Sequence, residues 1–220
     1  MGGRGVGFVA VCVAICVAMT ASAASAATFS NPTQIVVPPS PGNGVATPYP
    51  STISVSGLSG TTTKATVSFR IAVAAWRDID ALLVGPGGNS ILMSDVCGTN
   101  ASSAIGVNLT FDDDAAAGLF ASCPPTPSSG AYKPTNFDTV DSFPGVAPPY
   151  LLGLGNFRGV SPNGAWQLYV FDDTVGDEVT IDGWSLELTT NGAAATARKK
   201  CKKRHKRSAS TAKKRCKKRR

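Results

Sequence analysis

The residues of this chain best suited to chemistry are its aspartates, which recur in short groups where apolar stretches end. Carboxylates and backbone carbonyls on adjoining loops are the ligands that Ca²⁺ takes in proteins. Aspartates also collect at strand ends because they close turns and cap local structure, so a purely structural role remains the alternative. The groups are Asp78 and Asp80, then Asp95, then Asp112 to Asp114, and finally Asp172, Asp173 and Asp177.

Other catalytic chemistry finds little support in the sequence. Its one histidine, His205, lies in a basic C-terminal segment, which argues against a Ser-His-Asp triad or a histidine-based zinc centre in the rest of the chain. Lys64 and Arg70 are expected on one strand face and do not converge on a pocket. Two paired carboxylates for glycoside hydrolysis remain the alternative, but nothing indicates that two of them face each other across a cleft. We therefore expect no enzymatic activity.

The glycine-rich segment 85–89 resembles a phosphate loop in composition but not in context. A phosphate loop needs a helix after its glycines, and the apolar residues 91–93 that follow favour a strand. The segment is typical of a β hairpin with arms at 82–84 and 91–93.

The elements around these residues are predicted to be strands. Residues 64–74, 106–113, 51–58 and 165–173 alternate apolar and polar side chains, and 165–173 is apolar enough on both faces to be a central strand. In 178–190 the apolar residues switch between odd and even positions at Asp182-Gly183, a parity change that predicts either a bulge or a two-residue turn. Segment 112–122 is the one stretch expected to hold a helical turn. Together these patterns predict an all-β sandwich.

The N-terminal segment has the features of a secretory signal peptide. Arg4 precedes an apolar run at 6–19, and Ala24-Ser25-Ala26 has the small-residue pattern of a cleavage site. The run is too short for a membrane anchor. We predict a signal peptide at 1–27, a sandwich domain at 28–190, and a secreted, extracellular or surface-associated protein whose mature form has no transmembrane segment.

The C-terminal segment carries charge opposite to that of the sandwich. Residues 198–220 hold 15 of the 21 Lys and Arg, whereas 28–197 hold five together with all 14 acidic residues, a net charge of −9. A block of like charge cannot bury apolar surface, so we predict a linker at 191–197 and a disordered tail at 198–220. The tail favours an anionic envelope polymer or another polyanion, nucleic acid included, bound with strong salt dependence. Its expected contact residues are Lys199, Lys200, Lys202, Lys203, Arg204, Lys213, Lys214 and Arg215.

The cysteines follow from the predicted export. Cys97 and Cys123 are expected to form a disulfide in an oxidising compartment, with two free thiols as the alternative. Cys201 and Cys216 lie in the tail, where pairing within or between chains is open.

Three segments in this order resemble the P domain of subtilisin-like proprotein convertases of the kexin and furin type. They are "DIDALLVGPGGNSILMSD", "SPNGAWQLYVFDD" and "VTIDGWSLEL", and the resemblance extends over roughly 29–190. It implies a jelly-roll-like β sandwich that supports the folding and calcium dependence of a protease domain. It also implies that Asp78, Asp80 and Asp172 are the candidate calcium ligands. Arg77, where a small residue is common, and Gly85, where serine is usual, depart from the family pattern.

The resemblance yields two functional expectations. One is a stand-alone, non-catalytic surface module that binds carbohydrate or protein and is held to the cell surface by its tail. The other is an accessory or regulatory partner of a separately encoded subtilisin-like serine endopeptidase. Because the signal peptide occupies the segment before Thr28, we expect no protease domain ahead of the sandwich.

Overall fold

A computed structural model describes residues 24–37, 44–96, 103–119, 128–137, 142–174 and 178–192. Within them the regular elements are strands, apart from two short 3-10 turns at Trp76–Asp78 and Leu154–Phe157. This confirms the all-β prediction. The strands are β1 (Ser25–Asn31), β2 (Ile35–Val37), β3 (Gly44–Val45), β4 (Ser51–Val55), β5 (Thr62–Val73), β6 (Ile79–Gly85), β7 (Gly88–Ser94), β8 (Ala104–Phe111), β9 (Gly130–Tyr132), β10 (Thr135–Asn136), β11 (Gly164–Asp172) and β12 (Val179–Thr190).

The strands form two six-stranded sheets that pack as a sandwich. Sheet A has the order β1-β12-β5-β8-β9, and β2 also pairs with β12. Sheet B has the order β10-β7-β6-β11-β3, and β4 also pairs with β11. Pairing is antiparallel except at β8–β9 and β7–β10. No helix in the described ranges has the length and apolarity needed to span a membrane.

The core lies between the sheets and follows the predicted alternation. Every second residue of the long strands is buried, whereas its neighbours are exposed or half-buried. The central position predicted for 165–173 is confirmed, because β11 has β6 on one side and β3 and β4 on the other. Inward-facing residues include Val67, Phe69, Ile71, Trp166, Leu168, Val170, Leu186 and Leu188, each at most 4 % exposed.

The parity change in β12 is a bulge, and the alternative of a turn is wrong. Ile181 pairs with Ile71 and Trp184 pairs with Phe69, so Asp182 and Gly183 together face the single residue Arg70. Gly183 has φ +116°, and a Cβ there would lie 2.8 Å from the Asn31 carbonyl oxygen. The extra residue lets both apolar sets of this strand face the core.

The predicted hairpin is confirmed, with a shorter turn than the glycines indicated. Gly85 pairs with Gly88, which leaves the two-residue turn Pro86-Gly87, and Gly87 has φ +88°. A strand follows the turn, as expected. In contrast, residues 112–119 form turns and bends where a helical turn was expected, and the Asp112 carboxylate accepts a hydrogen bond from the Asp114 amide at 2.9 Å.

The outer faces of the two sheets differ. Loop residues 142–152 cover sheet B, where Phe143 packs with Leu82 and Ile91 in a second apolar cluster. Tyr49 hydroxyl donates to the Pro144 carbonyl at 2.9 Å and stacks edge-on against Tyr169. Burial, followed by the neighbouring phenols of Tyr169 and Tyr150, raises the pKa of Tyr49 above its ordinary value. Sheet A instead presents a polar outer face.

Several predicted features lie outside the described residues or at their margin. They include most of the signal peptide, the disulfide cysteines Cys97 and Cys123, most of the linker, and the whole tail. β1 begins at Ser25, so cleavage after Ala26 or Ala27 would remove the first residues of this strand, which pair with Leu188 to Thr190.

Candidate functional site

Asp78, Asp80 and Asp172 lie at the same end of sheet B. Asp78 ends the 3-10 turn that joins the sheets, and Asp80 is the second residue of β6. Asp172 is the last residue of β11, where it pairs with Ile79 while Phe171 pairs with Asp80. Antiparallel pairing of β6 with β11 therefore gathers three aspartates that are up to 94 positions apart in the chain.

These carboxylates lie at strand ends, as the sequence predicted, and they are buried. Asp78 and Asp80 are each 4 % exposed and Asp172 is fully buried. A buried carboxylate is costly unless hydrogen bonds or opposite charge compensate it.

Each of the three carboxylates has a partner. The Arg77 guanidinium lies 3.1 Å from an Asp78 oxygen, and the Ser94 hydroxyl donates to Asp80 at 2.6 Å. The Thr174 amide donates to Asp172 at 2.9 Å. Each carboxylate is thus held in place by its position in the fold and by the group that pairs with it.

Further acidic residues surround this site. Asp95 follows β7 with φ 47°, Asp173 follows Asp172 and is exposed, and Glu178 is exposed just before β12. We call Asp78, Asp80, Asp95, Asp172, Asp173 and Glu178 the acidic end. Among the described residues, the basic side chain that pairs with a carboxylate of this end is that of Arg77.

Backbone contacts tie the acidic end together. The Asp173 amide donates to the Asp78 carbonyl at 3.2 Å, and the Ala74 amide donates to the Glu178 carbonyl at 3.2 Å. These bonds join β11 and β12 to the turn between β5 and β6. The end is therefore built from both sheets.

The donor atoms at the acidic end are oxygens, which suits Ca²⁺ in type. The described residues nevertheless contain no group of three or more Asp, Glu, His or Cys side chains arranged to hold a metal ion. The structure brings the three candidates to one end without arranging them around a common point. Calcium binding by Asp78, Asp80 and Asp172 stays a prediction.

Two residues that contact the acidic end, Ser94 and Arg77, were not among the sequence candidates. Ser94 was missed, although "SD" at the end of the second hairpin arm was a signal for it, since β7 lies beside β6. Arg77 was noted as a departure from the family pattern. Its pairing with Asp78 gives that departure a structural role, because it neutralises one of the buried carboxylates.

The aspartates at the opposite end of the sandwich have other partners. Lys64 lies 2.9 Å from Asp112 and 2.7 Å from Asp114. Asp114, followed by Asp112, raises the pKa of Lys64, and Lys64 in turn lowers the pKa of Asp114. Asp113 accepts hydrogen bonds from the amides of Leu154 and Gly155 at 2.8 and 2.6 Å, which holds the second 3-10 turn. This group has the structural role that aspartates at strand ends usually have.

Comparison with known proteins identifies a family and a likeness to solved structures. The family model for the proprotein convertase P-domain matches residues 62–188. No curated protein matches the chain. Among solved structures, the crystal structure of the Aeromonas sobria serine protease (ASP) and chaperone (ORF2) complex is similar at 16 % identity and a TM-score of 0.35. The likeness covers 79 % of this chain and 28 % of that chain.

Proposed function

The chain belongs to the proprotein convertase P-domain family, and on this basis we propose that it is a secreted, non-catalytic binding module. The family match carries the proposal, since P domains are accessory domains without catalytic activity. It spans β5 to β12 and includes Asp78, Asp80 and Asp172. The most direct test is to incubate the purified full chain with peptide substrates of serine endopeptidases. We expect no hydrolysis, and turnover by the chain alone would overturn the proposal.

We propose that the tail holds this module at an anionic cell-surface polymer. The support is the charge distribution, 15 basic residues in 198–220 against a net charge of −9 in 28–197. Asn191 exchanges backbone and side-chain hydrogen bonds with Thr61, so the chain leaves the sandwich from a fixed point far from the acidic end.

Tail attachment is tested by salt elution from cells that secrete the protein. The matched variant keeps the tail length but replaces all 15 Lys and Arg of 198–220, the eight expected contact residues included, with glutamine. We expect native protein to elute only as the salt concentration rises, because screening weakens multivalent charge contacts. The glutamine variant should appear in the medium at low salt. Retention of that variant would contradict attachment through the tail.

The second candidate is an accessory module of a separately encoded subtilisin-like protease, and family membership favours it. We expect the full chain to co-purify with such an enzyme from the culture medium and to raise its melting temperature. The glutamine-tail variant separates the two functions, since it should lose surface retention and keep the protease. Absence of a protease among the co-purified proteins would leave surface binding as the function.

We also propose that calcium binds at the acidic end through Asp78, Asp80 and Asp172. The support is the burial of Asp80 and Asp172 at one end of sheet B, where Asp80 shares a sheet face with Phe171 and Asp172 shares the core face with Ile79. The ion would offset the cost of burying like charges and would stabilise the joint between the sheets. The test of this assignment is given in the Discussion.

A further inference from the structure

A shallow groove of about 360 Å³ opens on the polar outer face of sheet A, away from the acidic end. It crosses β1, β12, β5 and β8, and its polar lining includes Arg70, Asp182, Asn108, Ser185, Ser68 and Thr110. Arg70 was expected on a strand face and away from any pocket. It does lie on that face, but the groove forms around it.

The groove depends on two irregular backbone positions. The bulge of β12 sets Asp182 beside Arg70, and the two side chains form a salt bridge. Gly106 in β8 has φ +72°, and a Cβ at this residue would clash with the Arg70 guanidinium. Gly106 thus leaves room for the Arg70 guanidinium over β8, and Gly183, where a Cβ would meet Asn31 and Pro32, permits the bulge that places Asp182.

The charges of the groove balance. Arg70, followed by Gln34, lowers the pKa of Asp182, so this carboxylate stays ionised and accepts from both side chains. One strong donor and one strong acceptor lie side by side with no net charge. The Asp182 carboxylate repels an anion and the Arg70 guanidinium repels a cation, so the groove favours neither kind of ligand. A neutral ligand that both donates and accepts hydrogen bonds matches the pair.

A row of hydroxyl groups extends the groove across four strands. Ser30, Ser185, Ser68 and Thr110 are successive cross-strand partners, and neighbouring strands lie about 4.8 Å apart. Ser68 and Thr110 bond to each other at 2.9 Å. The hydroxyls of Ser30 and Ser185 and the side-chain amide of Asn108 make no hydrogen bond with the part of the chain that the structure describes. These groups are positioned to bind a ligand.

We propose that this groove binds a neutral saccharide, one or two rings of an uncharged polysaccharide. Sugar hydroxyls both donate and accept, as the Arg70–Asp182 pair and the hydroxyl row require, and the volume lies at the lower end for small-ligand sites. Phe69 and Trp184 lie beneath the groove at 4 % and 3 % exposure, so no aromatic face is presented for stacking. The affinity is accordingly modest, with a Kd on the order of 1 mM.

This assignment names a ligand class for the proposed binding module and rests on that function. The test is titration of the full ¹⁵N-labelled chain with cellohexaose, maltohexaose and chitohexaose, followed by amide chemical shifts. We expect at least one of them to cause saturable shifts at 68–70, 108–110 and 182–185. Ser185→Ala and Asn108→Ala should each raise Kd severalfold to about tenfold, because each removes a hydrogen bond to the ligand. The matched control is Thr66→Ala on the same face of β5, which should bind as the native chain does.

The outcomes test ligand binding in the groove independently of surface attachment through the tail. The assignment is overturned if none of the three oligosaccharides causes saturable shifts, if the shifts lie elsewhere, or if the Ser185→Ala and Asn108→Ala variants bind like the native chain. Dextran sulfate serves as the charged probe, and shifts in the groove with it alone would also overturn the assignment. The Ser185→Ala variant should keep its salt-dependent retention on cells. Loss of retention only in the glutamine-tail variant therefore tests the proposed surface attachment without involving the groove.

Discussion

The two ends of the sandwich use the same residue type in different ways. At the acidic end, Asp78, Asp80 and Asp172 are at most 4 % exposed. At the opposite end, the Asp114 side chain is 65 % exposed and pairs with Lys64, which is itself 36 % exposed. Solvent screens an exposed pair, whereas a buried carboxylate depends on the few groups that contact it.

This difference shows why the acidic end is the better candidate for function. Burying like charges is unfavourable, and a fold that keeps them buried needs donors, a cation or both. The opposite end balances its aspartates with Lys64 and with the amides of the second 3-10 turn. Substitutions at the two ends should therefore have unequal effects.

The largest effect is expected for Ser94→Ala at the acidic end. The variant leaves the buried Asp80 carboxylate without a donor that lies 2.6 Å away, which should lower the free energy of unfolding by about 2 kcal/mol. Urea denaturation measures it. Ser68→Ala is the control, since its hydroxyl is half-buried and bonds to the Thr110 hydroxyl on the polar outer face of sheet A. If both variants lost the same free energy of unfolding, the buried hydrogen bond would contribute no more to stability than the half-buried one.

A smaller loss is expected for Asp113→Ala at the opposite end. This carboxylate accepts from two backbone amides at 2.6 and 2.8 Å, so its removal should cost about 1.5 kcal/mol. Asp113→Asn retains one acceptor oxygen and should lose less. If both variants unfold at the same urea concentration as the native chain, the carboxylate does not hold the 3-10 turn.

Calcium binding should stabilise the fold through the acidic end and not through the opposite end, by an amount similar to the loss expected for Asp113→Ala. With a Kd of roughly 1 mM, 10 mM calcium adds about 1.4 kcal/mol and raises the melting temperature by about 3–6 °C. Asp80→Asn and Asp172→Asn should abolish this rise, while Asp112→Asn should keep it. In EDTA the Asp172→Asn variant should melt no lower than the native chain does, since it removes buried like charge. A melting temperature that calcium and EDTA leave unchanged rules out the proposed site.

The smallest effect is expected for Lys64→Gln at the opposite end. The melting temperature near neutral pH should change by less than about 2 °C, since exposed pairs contribute little. Lys64 lowers the pKa of Asp114, so their attraction stabilises the fold above the ordinary aspartate pKa of about 3.9 and is lost as the pH falls through the lowered value. The native and variant melting temperatures should therefore converge once the pH has fallen through this lowered pKa. A difference that persists in acid would assign another role to Lys64.

Strand content and charge distribution were readable from the sequence because they are local properties. The alternation of β5 and β8, the hairpin at 85–88 and the division between acidic sandwich and basic tail follow from neighbouring residues. The parity change in 178–190 also marked the place of the bulge. It did not distinguish a bulge from a turn, because that choice depends on whether both halves of the segment pair with the same strand, β5.

The candidate site was only partly readable. The sequence identified Asp78, Asp80 and Asp172 through a family resemblance and placed them at strand ends, but it did not predict their burial and missed Ser94. Burial of a side chain depends on the strands and turns packed over it, here β7 and the segment after β11, and these contacts are distant in sequence.

The sequence by itself determined which segments become strands, which face of each is apolar, and how charge divides between the sandwich and the tail. These properties follow from side-chain alternation and composition over a few residues. The tertiary structure decided which carboxylates are buried at one end of the sandwich and that Arg70 meets Asp182, 112 positions away, above Gly106. Residues so far apart in sequence come into contact through strand pairing, and the packing of the whole core determines which strands pair.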